Sequence, residues 1–136
     1  MCVSVTLTVT ADNECNVYAD GDEVLASYTW DEAHSVSLDE ACVLAIFAIN
    51  GDGGDAGILA STSTGVVTDA SWKCSTTDPT GWRLPGFDDA AWAQAQVIAA
   101  NDGSVRASVA EISSDAKWIW TQNTNDVLVF CRKTLC

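Results

Sequence analysis

Hydrophobic and polar residues alternate with a period of two along most of the chain. Val3, Val5, Leu7 and Val9 alternate with Ser4, Thr6, Thr8 and Thr10. Successive side chains of a strand point to opposite faces, so this run predicts a half-buried strand with a threonine-rich outer face. Cys15, Val17 and Ala19 continue the alternation. Asp20-Gly21 then predicts a hairpin turn, because glycine tolerates the positive φ that tight hairpins require, and 24–29 is the return strand. Further strands are predicted over 35–38, 42–49, 58–64, 72–74, 96–99, 105–112, 117–120 and 127–132. The run from Cys42 to Ile49 is nearly all apolar, which predicts cover on both of its faces. Asn50 to Gly57 is a glycine-rich turn, and Asp78-Pro79 and Leu84-Pro85-Gly86 mark a loop. Phe87 to Trp92 predicts a short helical turn near residues 88–94, N-capped by Asp88 or Asp89. About ten short strands with frequent turns predict an all-β fold, an antiparallel β-sandwich.

Composition narrows the function classes. The 136 residues fit a single domain spanning 1–136, with no internal repeat and no low-complexity linker. A 48% hydrophobic content with 18% charged residues excludes a disordered chain. The net charge is −13, and the six basic residues are too few for replacing phosphate counterions, so nucleic acid is not an expected partner. The longest apolar run, Ala41 to Ile49, has nine residues, against the ~20 of a spanning helix. Residues 1–72 hold no Lys or Arg but 12 of the 19 carboxylates. That asymmetry serves solubility, or else a cation-recruiting face or a head-to-tail contact between copies.

The six cysteines, Cys2, Cys15, Cys42, Cys74, Cys131 and Cys136, include no CxxC pair, and the single His34 has no cysteine near it. Tetrahedral zinc sites need such pairs, so disulfides are the better reading, up to three of them. Fifteen pairings are possible and the spacing does not choose among them. A bridge involving Cys2 or Cys136 would pin an end that otherwise frays. Disulfides place the protein in a secreted, extracellular setting. The first 20 residues lack the basic start and apolar block of a signal peptide, so an export signal is expected to have been removed.

Several blocks carry a family resemblance. Val9 to Glu14 followed by Val17 to Gly21, Val43 to Asn50 followed by Gly54 to Ala60, and Ser71 to Ser75 form the first three. Phe87 to Trp92, and Lys117 to Trp120 with Val129 to Lys133, complete the set. In this order they resemble the galactose-binding-like β-sandwich (jelly-roll) domains of glycoside hydrolases, rhamnosidases included, and of lectin-like extracellular proteins. The resemblance covers most of the chain. There are three departures. The element from Lys117 to Lys133 comes last here and precedes the first hairpin in some relatives. Cys15, Cys74 and Cys131 replace apolar core residues. Phe47 stands where relatives often have an outward lysine, which implies a covered face or a contact surface.

The resemblance implies noncatalytic carbohydrate binding, with galactose- or rhamnose-type sugars, and a structural Ca²⁺ in many relatives. Pyranose rings stack on aromatic faces, and the chain has six tryptophans. Trp72, Trp92, Trp118 and Trp120 fall in motifs that read as core. Trp30 and Trp82 lie in loops, with Tyr28, His34 and Arg83 close in sequence, and these five are the expected sugar-binding residues at one end of the sandwich. Asp52 and Asp55 are the candidate metal ligands; Asp20, Asp22 and Glu23 form a second acidic cluster. Catalytic residues are not expected. Adjacent acids such as Asp31-Glu32 point to opposite faces of a strand, and no GxSxG elbow accompanies the single histidine. The first reading is therefore an extracellular lectin-like module whose partner is a glycan or glycoprotein. The rival is a structural module that polymerises with other copies of itself through strand or disulfide contacts.

Overall fold

A computed structural model describes residues 5–27, 32–51 and 54–136. Eleven strands are found among them. They are β1 (Val5–Asp12), β2 (Glu14–Ala19), β3 (Asp22–Ser27), β4 (His34–Leu38), β5 (Val43–Ile49) and β6 (Gly57–Thr62). Then follow β7 (Lys73–Ser75), β8 (Ala93–Gln94), β9 (Gln96–Ala100), β10 (Lys117–Trp120) and β11 (Leu128–Thr134). They form two sheets, ordered β4-β1-β6-β10-β9 and β3-β2-β5-β11-β7-β8. Every pairing is antiparallel. The fold is an antiparallel β-sandwich, and no described segment is a helix.

The alternation places the core. Leu7, Val9 and Ala11 of β1, with Ile58 and Ala60 of β6, meet Cys15, Val17, Leu44, Ile46, Ala48, Val129 and Cys131 of the other sheet. Trp72, Ile119 and Trp120 complete this inter-sheet layer. Trp72 donates its indole N–H to the Val67 carbonyl at 2.9 Å, and Trp120 donates to that of Asp126 at 3.1 Å. The β2–β3 hairpin turns at Asp20-Gly21 with φ of 49° and 95°, the two positive values of a type I′ turn.

Two loops cover the outer faces of the sheets. Segment 101–116 lies over the five-stranded sheet, where Ile112 and Ala116 pack on Leu59, Ala99 and Trp118. Segment 76–92 lies over the six-stranded sheet, where Trp82 packs on Ala45 and Phe130, with Tyr18, Phe47, Phe87 and Trp92 around them. β5 is therefore covered on both faces, as its apolar run requires. Each loop is held by one buried polar side chain. Asn101 donates to the carbonyls of Val109, Ile112 and Ser113 and accepts the Val109 N–H. Arg132 of β11 donates to the carbonyls of Trp82, Leu84 and Phe87 and pairs with the Asp89 carboxylate.

Some expectations are corrected. Residues 105–112 are not a strand. Val109 and Ile112 bond through their backbone to the Asn101 side chain, Ile112 N–H also closes a turn on the Val109 carbonyl, and Val105 is 72% exposed. The expected helical turn near 88–94 is one turn closed by Trp92 N–H on the Asp89 carbonyl, 2.9 Å, and Asp88 accepts from the Ala90 N–H. Asp88 thus bonds the backbone two residues on, which makes a turn and not a helix cap. The element from Lys117 to Lys133 lies inside the molecule's own sheets. β10 sits between β6 and β9, and β11 between β5 and β7, so neither edge is free for a neighbouring copy.

Candidate functional site

A cleft of about 690 Å³ lies against the outer face of the five-stranded sheet. β1 turns Leu7, Val9 and Ala11 inward, so Thr10 and Asp12 face the other way and line the cleft. β10 contributes Trp118. Loop residues Glu32, Asp55, Arg106 and Glu111 form the charged part of the wall. Segment 101–116, fixed by Asn101, carries the last two into place.

Arg106 organises this cleft. Its guanidinium lies 4.9 Å from the Trp118 ring centroid and donates to the Ala56 carbonyl. This arrangement needs Gly57. A Cβ there would lie 2.6 Å from Arg106 Nη1 and 2.7 Å from Trp118 Cε3. Trp118 is 5% exposed, and its indole N–H has no acceptor among the described residues. The indole nitrogens of Trp72 and Trp120 both have one. Four carboxylates, Asp12, Glu32, Asp55 and Glu111, face one guanidinium, so the cleft is net negative. Carboxylates accept from paired hydroxyls and a guanidinium donates to them, so the wall suits a polyhydroxylated ligand.

The sequence-derived candidates are dispersed. Tyr28, Trp30 and Asp52 lie outside the described residues. Glu32 and Asp55, their close neighbours in sequence, line the cleft. His34 opens β4 opposite Val9 on the five-stranded sheet. Trp82 and Arg83 lie on the outer face of the six-stranded sheet, not at a sandwich end. Trp82 is only 5% exposed, stacked with Trp92 at 6.2 Å and edge-on to Phe130 at 5.2 Å. It is chiefly a packing residue. Arg83 is exposed and lies over the Tyr18 ring at 4.4 Å. The expected grouping of Trp82 and Arg83 with His34 is not formed, because they belong to different sheets. Thr10, Asp12, Arg106, Glu111 and Trp118 were not legible as site residues. Their meeting depends on contacts such as Arg106 to Ala56, fifty residues apart.

Metal chemistry finds little in the described residues. No three His, Cys, Asp or Glu side chains among them converge on a point, whereas Ca²⁺ takes six to eight oxygens. Asp20 is used differently: it accepts the N–H groups of Cys42 and Val43 at 2.8 and 2.9 Å, and Glu23 accepts from Asn16.

Two disulfides are formed. Cys42 pairs with Cys136 and Cys74 with Cys131. The second joins directly opposed residues of β7 and β11. Cys15 is the exception to the expected bridging. It is a free thiol in the inter-sheet core, and burial pushes it up to about 12, partly offset by a backbone hydrogen bond from Ser27. Cys2 lies outside the described residues, and Cys136 is held by Cys42.

No family model matches the chain, and no solved structure matches it. Among curated proteins it is similar to an alpha-L-rhamnosidase of Streptomyces avermitilis, 34% identical over 134 aligned residues. The alignment takes in 82% of this chain but 13% of the relative, so the likeness is to a small segment of a glycoside hydrolase.

Proposed function

We propose that the protein is a noncatalytic, secreted carbohydrate-binding module of the galactose-binding-like kind, and that it holds its glycan in the cleft beneath segment 101–116. The observation that carries this reading is the cleft's composition. A concavity of about 690 Å³ combines a tryptophan, four carboxylates and one guanidinium. Ligand sites run from about 300 to 1,000 Å³ and pair apolar walls with a few placed polar groups. Sugars present hydroxyls to carboxylates and guanidinium groups, and the buried Trp118 ring backs the Arg106 guanidinium in the wall. The likeness to a rhamnosidase segment supports the ligand class. That the segment is 13% of the enzyme supports an accessory role over a catalytic one. Two disulfides support an oxidising compartment.

The test is a glycan-array screen of the oxidised protein followed by titration of each hit, with Ca²⁺ and with chelator. Asp55→Ala and Glu111→Ala, both at exposed positions, are expected to lower affinity at least tenfold without changing the melting temperature. Loss of binding in chelator would place a cation in or near the cleft. Undiminished affinity in both variants would remove the glycan from this cleft.

A further inference from the structure

The outer face of the six-stranded sheet carries a second hollow that the cleft leaves unused. β2, β5 and β11 each turn one aromatic side chain outward there, Tyr18, Phe47 and Phe130. Phe47 and Phe130 are directly paired across the ladder and stack with centroids 4.9 Å apart. Trp82 stands edge-on to Phe130 at 5.2 Å and to Tyr18 at 6.1 Å. Arg83, Asp78, Thr76 and Leu128 complete a hollow of about 350 Å³. Leu128 is 46% exposed although it opens a central strand.

This wall is chemically mixed in a specific way. Tyr18, Phe47 and Leu128 offer apolar contact in front of the buried Trp82 and Phe130, while Arg83, Asp78 and Thr76 supply a donor, an acceptor and a hydroxyl at the same opening. A purely apolar ligand would strip water from the guanidinium and the carboxylate without replacing it. A fully ionic ligand would leave the rings unused. A ring with C–H groups on its faces and hydroxyls at its edge satisfies both. The volume sits at the lower end of the range for small-ligand pockets, which suits one ring better than a chain of them. The wall is also preorganised, because Arg132 holds the backbone of Trp82, Leu84 and Phe87 beneath it.

We infer that this hollow is a second glycan site, taking a single neutral pyranose ring on the sheet opposite the cleft. The ligand class rests on the carbohydrate-binding reading of the protein, but the location is independent of the cleft. With sites on both outer faces, one chain engages two glycan ends at once and gains avidity on a dense glycan surface.

The experiment is a ¹H–¹⁵N NMR titration of the oxidised protein with methyl α-L-rhamnopyranoside and, separately, methyl β-D-galactopyranoside. One of these sugars is expected to move two groups of signals with separate saturation curves. One group surrounds Tyr18, Phe47, Asp78 and Arg83; the other surrounds Asp12, Asp55, Arg106 and Glu111. Arg83→Ala and Asp78→Ala, both at exposed positions, should each weaken the first group at least tenfold and leave the second unchanged. Phe47→Ala should abolish the first group; should it fail to fold, the two exposed variants decide. Shifts confined to the cleft residues would overturn the second site and leave the cleft reading standing. Shifts confined to the hollow would do the reverse. An outer group indifferent to Arg83→Ala and Asp78→Ala would also overturn this site, and silence with both sugars would overturn both.

Discussion

Replacing Arg132 by methionine tests how the six-stranded sheet keeps its outer layer. The guanidinium is 1% exposed and donates to the carbonyls of Trp82 at 2.9 Å, Leu84 at 3.0 Å and Phe87 at 3.3 Å. It also pairs with Asp89, and its carbon centre lies 5.3 Å from the Phe87 ring centroid. Hydrogen bonds from charged groups contribute about 1.5–3 kcal/mol each, so a simple sum for four would exceed ~6 kcal/mol. That sum is too large here. The Asp89 carboxylate is 23% exposed, and the bonds to the Leu84 and Phe87 carbonyls are only partly buried, so these acceptors can regain water. Removing one partner of a buried pair costs about 3–5 kcal/mol, and rehydration places Arg132→Met near the bottom, at ~3 kcal/mol. Asp89→Asn keeps the three carbonyl bonds and should cost ~1 kcal/mol. Arg132→Lys keeps the charge but not the planar fork, and falls between the two.

The assay is urea unfolding with the disulfides intact, followed by tryptophan fluorescence, with the midpoint multiplied by the common slope. Arg132→Met should also redden the native emission, because Trp82 and Trp92, carried on that loop, lose their packing on the sheet. An Arg132→Met protein within ~1 kcal/mol of wild type would refute the claim that this guanidinium organises the loop. So would an Asp89→Asn protein as unstable as Arg132→Met, which would reduce the cluster to a single ion pair.

The free thiol makes a pH prediction. Cys15 is raised to about 12 by burial, against 9.0 in a solvated chain, so it stays protonated in the folded state while the unfolded chain ionises. Its contribution is intact below pH 9 and declines as pH rises towards 12, by up to ~1.4 kcal/mol per unit. Urea midpoints of wild type and Cys15→Ala should therefore converge above pH 9, and a constant offset would contradict the burial argument. The same thiol should resist iodoacetamide until urea unfolds the protein. Removing the Cys42–Cys136 bridge, with its separation of 94 residues, by a double serine substitution should cost up to ~4–5 kcal/mol on the chain-entropy account. A melting temperature within 3 °C of wild type would show that the unfolded chain is not constrained as supposed. Gly57→Ala should displace Arg106 from the Trp118 ring, cost about 1–3 kcal/mol and weaken binding in the cleft. Unchanged affinity together with an unchanged melt would exclude that packing.

The sheets were legible because the inward strand positions repeat every second residue. The β2–β3 turn was legible because Asp-Gly has few other uses at a hairpin tip. Residues 105–112 misled for the same reason that β1 did not. Val105, Ala107 and Val109 alternate as a strand would, but the Val109 N–H and carbonyl are taken by the Asn101 side chain and not by a neighbouring strand. The burial of Trp82 was not legible from its place between proline and glycine. It depends on Arg132, fifty residues away, whose loop partners other than Asp89 are carbonyls and so leave no trace in side-chain identity. Disulfide pairing was equally silent. Cys74 and Cys131 meet because β7 and β11 are neighbours in one register, a fact of topology and not of spacing. The cleft combines Asp12, Asp55, Arg106 and Trp118 from four separate stretches, so composition announced its acidity but not its place.

The Cys42–Cys136 bridge also decides how the molecule would carry tension. Load applied at residue 136 passes through sulfur directly to the residue before β5, bypassing β11. β11 therefore cannot be peeled from its neighbours by a pull on that end. Stretched between Val5 and Cys136, the oxidised chain can lengthen only through the residues up to Cys42, to about 130 Å at ~3.5 Å per residue. The reduced chain would reach about 450 Å on the same scale. An oxidised module thus takes load through β1 to β4, which carry Thr10, Asp12 and Tyr18, and keeps residues 43–135 out of the line of force.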